Sequence, residues 1–315
     1  MRFGVTILGS NGAVPGPDRH ASAHLFQSES TDILVDCGEG TQLQLQAAGV
    51  GFGRVPLILI THLHGDHFFG LPGLLTSLAL NGRRAPLRII SPPGLRDRLA
   101  PLLELDRYRL PYPLTFEEHT AIRPDRIATV GDLEVIAFPL RHRIATNGYL
   151  IRELPRPANL RKEKLAEYEI PVADIPAIKA GGDFVLPDGR VIAHGELTTP
   201  APEPRAYAYC SDTWYFPELA DYVRGVNLLY HEATFLHDRA AEAREKGHST
   251  AREAAWTARD AGAGRLIIGH FSSRYGDLGP HEREARDVFP PSYVARDLYR
   301  FVVPFAGRGA PDGES

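Results

Sequence analysis

Three imidazoles and a carboxylate stand within six residues of this chain, in the run Thr61-His62-Leu63-His64-Gly65-Asp66-His67. The run follows the apolar stretch Val55-Pro56-Leu57-Ile58-Leu59-Ile60, which reads as a buried strand. A strand sends alternate side chains to opposite faces, so His62 and His64 point the same way. Gly65 then permits a sharp turn that brings Asp66 and His67 toward the same point. Imidazole nitrogen and carboxylate oxygen are the donors that zinc and its neighbours prefer. Four such donors exceed the three that a mononuclear catalytic zinc takes from protein, which points to two metals with further ligands elsewhere in the chain.

Later segments offer those ligands at the ends of apolar runs. His142 comes after Val135-Ile136-Ala137-Phe138, Asp212 after Tyr209-Cys210, His231-Glu232 after Leu228-Leu229, and His270 after Ile267-Ile268. In α/β folds, sites gather where strand ends open into loops, so recurrence of the pattern matters more than any one member.

The elements that must position these residues alternate between strand and helix, which argues for an α/β class. Strands are expected over 2–9 and 32–37, with the glycine-rich segment from Gly9 to Pro17 as a loop between them. That loop lacks the G-x-x-x-x-G-K-[ST] spacing of a phosphate cradle. Helices are expected from Thr41 to near Gly49, from Gly70-Leu71-Pro72 toward Asn81, and from about Pro93 to Asp106. Thr250-Ala251-Arg252-Glu253 has the form of a capping box at the head of a helix through Ala261. Residues 152–198 break the alternation with proline, glycine and charge, and read as an insertion projecting from the core.

At 315 residues, with 43% hydrophobic and 23% charged residues, the chain is long enough for a large core. No apolar run approaches the ~20 residues of a membrane span. The N-terminal residues enter a strand pattern at once, without a signal peptide's apolar core, and Cys37 and Cys210 lack C-x-x-C spacing. A reducing cytoplasm is the expected location. The net charge of −4 gives no global attraction to nucleic acid, so an RNA substrate would need a local basic patch.

Taken together, H-x-H-x-D-H with later His, Asp and His resembles the metallo-β-lactamase superfamily. The stretches His231-Glu232-Ala233-Thr234-Phe235, Gly247-His248-Ser249-Thr250 and Gly269-His270-Phe271-Ser272-Ser273-Arg274-Tyr275 narrow the resemblance to the ribonuclease Z family, which trims the 3′ trailer from precursor tRNA. The resemblance runs from the start of the chain to about residue 290. It implies a single domain over 1–315, a four-layer αββα sandwich, with 152–198 as an inserted flexible tRNA-binding arm; the tail from 304 to 315 is expected to be disordered. It implies two Zn2+ per subunit, with Mn2+ or Co2+ as possible substitutes. His62, His64 and His142 would hold one ion, Asp66, His67 and His270 the other, and Asp212 would bridge them. It further implies a homodimer in which one subunit's arm helps hold tRNA at the other's site. Two departures stand out: the arm lacks the family's Gly-Pro repeats, reading Ile170-Pro171-Val172-Ala173-Asp174-Ile175-Pro176, and Pro17 occupies the place of a loop lysine.

The expected reaction is metal-hydroxide attack on a phosphodiester, leaving a 3′-hydroxyl on the tRNA and a 5′-phosphate on the trailer. Asp66 would accept the nucleophile's proton. His248, oriented by Glu232, would protonate the departing ribose oxygen. Arg152, Arg156, Arg161, Lys162 and Lys164 are candidates for phosphate contacts from the arm, against a solvated helix face interleaved with Glu153, Glu163 and Glu167. Two other readings stand beside this one: a hydrolase of the same fold acting on a small ester or phosphodiester, and a non-catalytic RNA-binding protein.

Overall fold

The computed structural model describes residues 3–303 apart from positions 17 and 108. The expectations for Pro17 and for the 304–315 tail lie outside the described residues. The described residues divide into two compact units, one formed by 3–152 and 205–303, the other by Glu153–Pro204.

In the larger unit the strands before the insertion are β1 (Gly4–Gly9), β2 (Ala23–Gln27), β3 (Asp32–Val35), β4 (Leu57–Leu59), β5 (Leu87–Ser91), β6 (Leu114–Glu118), β7 (Asp125–Val130), β8 (Leu133–Leu140) and β9 (Thr146–Glu153). The smaller unit carries β10 (Asn159–Leu160), β11 (Phe184–Val185), β12 (Val191–Ile192) and β13 (Thr198–Thr199). The larger unit resumes with β14 (Ala206–Cys210), β15 (Leu228–Glu232), β16 (Leu266–Gly269), β17 (Ser292–Val294) and β18 (Arg300–Val302).

The larger unit's strands form two seven-stranded sheets, ordered β18-β1-β2-β3-β4-β5-β6 and β17-β16-β15-β14-β9-β8-β7. β3 to β6 run parallel, as do β14 to β17. The first sheet shows why apolar residues fill both faces. Ile33, Val35, Leu57 and Leu59 join the core between the sheets, while the alternate Leu34, Ile58 and Ile60 join a second core. That second core packs under α1 (Thr41–Ala47) and, past the short α2 (Gly65–Phe68), under α3 (Leu71–Leu80) and α4 (Leu95–Leu99). The sheets meet at contacts such as the stacked Phe26 and Tyr207 rings, 5.8 Å apart. The helix Ala251–Ala261 packs on β15 and β16 through Ala254, Ala255 and Ala258. The expected αββα layering is present.

Local expectations fare unevenly. Thr250 caps its helix as expected: its hydroxyl accepts from Glu253 N at 3.3 Å, and Thr250 N donates to the Glu253 carboxylate at 2.9 Å. The helix expected from Pro93 to Asp106 is only α4, followed by turns. Pro101, which has no N–H to donate, stands two residues past its end. β2 was not anticipated: Ala23-His24-Leu25-Phe26-Gln27 is buried on both faces and shows no alternation. Gly65 does not make a left-handed turn, since its segment is the helical turn α2.

The smaller unit has its own core of Ile170, Ile178, Leu186, Ile192 and Leu197. Around it lie α5 (Lys162–Glu167), α6 (Ile175–Lys179), α7 (His194–Leu197) and the paired strands β10-β13 and β11-β12.

Candidate metal centre

All seven proposed ligands meet at one edge of the larger unit, where strands end. β4 leads to His62, His64, Asp66 and His67; β8 leads to His142, β14 to Asp212 and β16 to His270. Their donor atoms fall into the groups His62/His64/His142/Asp212 and Asp66/His67/His270, and a third group, Asp212/His248/His270, overlaps both; within each the atoms lie within 4.8 Å of one another. Asp212 joins the first two. Its Oδ2 lies 3.6 Å from His62 Nε2 and 3.8 Å from His142 Nε2, and its Oδ1 lies 3.5 Å from His67 Nε2 and 3.2 Å from His270 Nε2. His64 presents Nδ1, 3.0 Å from His62 Nε2 and 3.2 Å from His142 Nε2. Asp66 Oδ2 lies 3.4 Å from both His67 Nε2 and His270 Nε2.

Three of the ligands are oriented by a residue behind them. His67 Nδ1 donates to Asp36 Oδ2 at 2.8 Å, and Asp36 accepts in turn from Thr61 N and Tyr209 Oη. His142 Nδ1 donates to Gly247 O at 2.7 Å. A Cβ at Gly247 would sit 2.8 Å from that same nitrogen, and its φ of +80° also favours glycine. His270 Nδ1 lies 2.9 Å from Thr234 Oγ1, which donates to Glu232 Oε2 at 2.8 Å. Asp36 and His270 both hold left-handed backbone, at φ 57° and 58°, strain of the kind that collects at functional sites. Outer partners of this kind fix ring orientation and tautomer in metal sites. Asp36, Thr61, Thr234 and Gly247 were not singled out as site residues from sequence; for Asp36 the usable signal was again a polar residue just past a buried strand.

The donors fit divalent metal. Among the described residues, His67 Nε2 and Asp212 Oδ1 are buried side-chain atoms without a hydrogen-bond partner, and both face the shared centre. A buried polar atom left so is costly, and a coordinated cation removes that cost. Charge agrees. Burial alone would raise the Asp66 and Asp212 carboxyls, but the surrounding histidines outweigh it and hold both far below the usual carboxylate range. Burial would lower His67, yet Asp66, Asp212 and Asp36 push it well above its ordinary value, so that it carries a proton which a bound cation would displace. His62, His64 and His142 go the other way, lowered chiefly by burial, which favours the neutral form that binds metal.

Beside this centre His248 Nδ1 lies 3.0 Å from Glu232 Oε1 and 3.9 Å from Asp212 Oδ2. Glu232 also accepts from the backbone of Ser249, Thr213 and Thr234. Burial lowers the His248 imidazole, but Glu232 and Asp212 prevail and raise it to about 9. Of the sequence pair His231-Glu232 only the carboxylate faces the centre; His231 is fully buried and its Nδ1 donates to Glu232 O at 2.7 Å. A cavity of about 420 Å³, lined by His64, Asp66, Asp212, His248, His270, Glu39 and Phe69 among others, opens onto these groups.

The basic candidates in and beside the insertion are placed differently. Arg152 pairs with Glu134 at 2.7 Å, Arg156 with Glu153 at 2.6 Å, and Lys164 with Glu167 at 2.8 Å. Arg161 Nε donates to Thr198 O at 3.0 Å, and Lys162 is exposed.

Comparison with known proteins agrees with this site. A family model described as anti-Pycsar protein Apyc1 matches residues 3–109, about a third of the chain. Ribonuclease Z of Porphyromonas gingivalis is 43% identical over 298 residues, covering 95% of this chain and 98% of the relative. Ribonuclease Z of Ignicoccus hospitalis is 39% identical, covering 94% and 97%. The crystal structure of human tRNase Z, short form, superposes with a TM-score of 0.68 at 28% identity, over 96% of this chain and 99% of that one. The metallo-β-lactamase fold protein YhfI of Bacillus subtilis shares the fold, at a TM-score of 0.69 and 19% identity, over 96% and 99%. The chain belongs to the ribonuclease Z family, hydrolases of the metallo-β-lactamase fold that act as endoribonucleases.

Proposed function

We propose that this protein is a zinc-dependent endoribonuclease that removes the 3′ trailer from precursor tRNA. The observation that carries the reading is the shared carboxylate of Asp212, whose two oxygens face two separate sets of donors. His62, His64 and His142 would hold one ion and Asp66, His67 and His270 the other, with Asp212 available to both; Mn2+ or Co2+ would suit the same donors. When bound, the ions supply positive charge for the phosphodiester and a water that ionises near neutral pH.

The chain's own groups then manage the protons. Asp66, held ionised and accepting from Ala13 N at 2.8 Å, would take the proton of the attacking water. His248 donates Nδ1–H to Glu232, which leaves Nε2 to hand a proton to the ribose 3′-oxygen as the P–O bond breaks. The tRNA keeps a 3′-hydroxyl and the trailer carries a 5′-phosphate.

The 152–198 segment serves as the arm that holds tRNA, with the exposed Lys162 and Arg161 as the readiest phosphate contacts and Arg152, Arg156 and Lys164 exchanging carboxylate for phosphate. The working form is a cytoplasmic homodimer. Among the described residues no helix is long and apolar enough to cross a membrane.

Incubation with a 3′-extended precursor tRNA, mapping the cut and its termini, tests this reading. A single cut after the discriminator base, lost on chelation, is the expected result. An intact precursor beside turnover of a small phosphodiester would keep the metal centre and discard the RNA substrate, and a 2′,3′-cyclic phosphate would rule out attack by water.

A further inference from the structure

The metal cluster is followed at once by two phenylalanines with opposite fates. Phe68 is 5% exposed and joins the core beneath the first sheet's helices, whereas Phe69 is 64% exposed. A lone exposed aromatic is ordinary on a protein surface. This one lines the same cavity as His64, Asp66, Asp212, His248 and His270, where the reacting phosphate must sit.

Its setting is prepared. The edge of the Phe68 ring props it, with centroids 4.9 Å apart and planes at 69°. The ring lies over Gly65: a Cβ there would come within 2.2 Å of Phe69 Cε2. Glycine between two proposed ligands thus leaves room for an aromatic ring beside the centre, a reason for Gly65 that its backbone angles do not supply. The rest of the cavity wall offers Ala13, Pro15 and Ala21 as apolar neighbours and the carboxylate of Glu39, and among the described residues no lysine or arginine lines it. Apart from the imidazoles of the centre, the group this wall offers to a nucleotide next to the cut is the exposed ring of Phe69.

We propose that Phe69 is the stacking platform for a nucleobase flanking the scissile phosphodiester. Every base has a π-face, so the contact holds the nucleotide without reading its identity, and it draws the phosphate toward the metal centre. The inference rests on the RNA-cleavage reading and adds a substrate-binding residue to it.

The test is a cycle between protein and substrate, run on the full-length, metal-loaded protein. Precursor tRNAs with a normal or an abasic nucleotide at either side of the cut are compared on the native protein and on Phe69→Ala, Phe69→Leu and Phe69→Trp. Removing one flanking base should raise KM for the native protein by on the order of tenfold, with kcat changed much less. Phe69→Ala should show the same rise on the normal substrate and no further rise on the abasic one. Phe69→Trp should restore the sensitivity to the base and Phe69→Leu, apolar but unable to stack, should not. An abasic penalty equal in native and Phe69→Ala proteins overturns the proposal, as does full rescue by leucine; the latter would mean the ring serves packing or a protein contact. A native protein that leaves precursor tRNA whole fails the functional reading itself, a result distinct from cleavage that ignores the flanking base.

Discussion

At the metal centre the charged side chains are buried or half-buried, and several are oriented by a second residue from a distant part of the chain. In the 153–204 unit they lie near the surface and pair mostly with sequence neighbours. Asp36 reaches His67 across 31 positions and Thr234 reaches His270 across 36. In the smaller unit Arg156 pairs with Glu153, Lys164 with Glu167 and Arg190 with Asp188. That unit holds six Lys and Arg against nine Asp and Glu, a net charge of −3. The contrast teaches that one region is set in advance, while the other would have to exchange its own ion pairs to meet a phosphate. Exposed pairs are weak enough for that exchange, and buried donors without partners are costly enough to demand a cation.

The comparison can be broken at several points. Asp212→Ala removes the one ligand common to both groups, and endonuclease activity should fall by roughly a thousandfold or more, with metal content measured alongside by elemental analysis. Near-normal activity would mean that the two groups work independently. His248→Ala should lower kcat by ~10²–10⁴-fold while metal content stays at the native level. Loss of metal in that variant would instead make His248 a ligand, a role its placement near Asp212 and His270 also allows.

Outer partners sharpen the contrast. Asp36→Asn should weaken metal affinity by ~10–100-fold, read by competition with a chelator. The smallest effect belongs to the inserted unit: Lys162→Ala should weaken tRNA binding modestly and lower the slope of log affinity against log salt by about one contact. An unchanged slope would remove Lys162 from the interface.

Away from both regions, His24 makes a test of the buried core between the sheets. It is fully buried against Tyr207, Tyr209 and Tyr230, and burial lowers its pKa from 6.5 to about 3. The unfolded chain therefore takes up this proton at higher pH than the folded one. Its stabilising share is complete above pH 6.5 and is lost as pH falls toward 3, at up to ~1.4 kcal/mol per pH unit. Denaturant unfolding at pH 7 and pH 5 should show that loss, and His24→Gln should reduce the slope.

What could be read in advance follows the same divide. The cluster from His62 to His67 was legible because four donors share six residues, and Asp212 and His270 because each ends a buried run. The layers were legible from alternating strands and helices and from the family motifs. Asp36, Thr234 and Gly247 were not, since their roles depend on which loops meet at the sheet edge. Strand periodicity alone could not separate His231 from Glu232; the family resemblance was what pointed to Glu232 as the partner of His248. In the insertion, cations were visible but their pairing was not, because Glu153, Glu167 and Asp188 become partners only once the local turns form. α4 fell short of expectation because the apolar pattern runs on past Pro101, where the helix cannot.

The most direct test of the account is metal content measured together with cleavage during stepwise reloading of the stripped protein. Two equivalents of Zn2+ per chain are expected, with precursor-tRNA cleavage rising only as the second is taken up. Full cleavage by the metal-free protein, or saturation of activity at one equivalent, would contradict it.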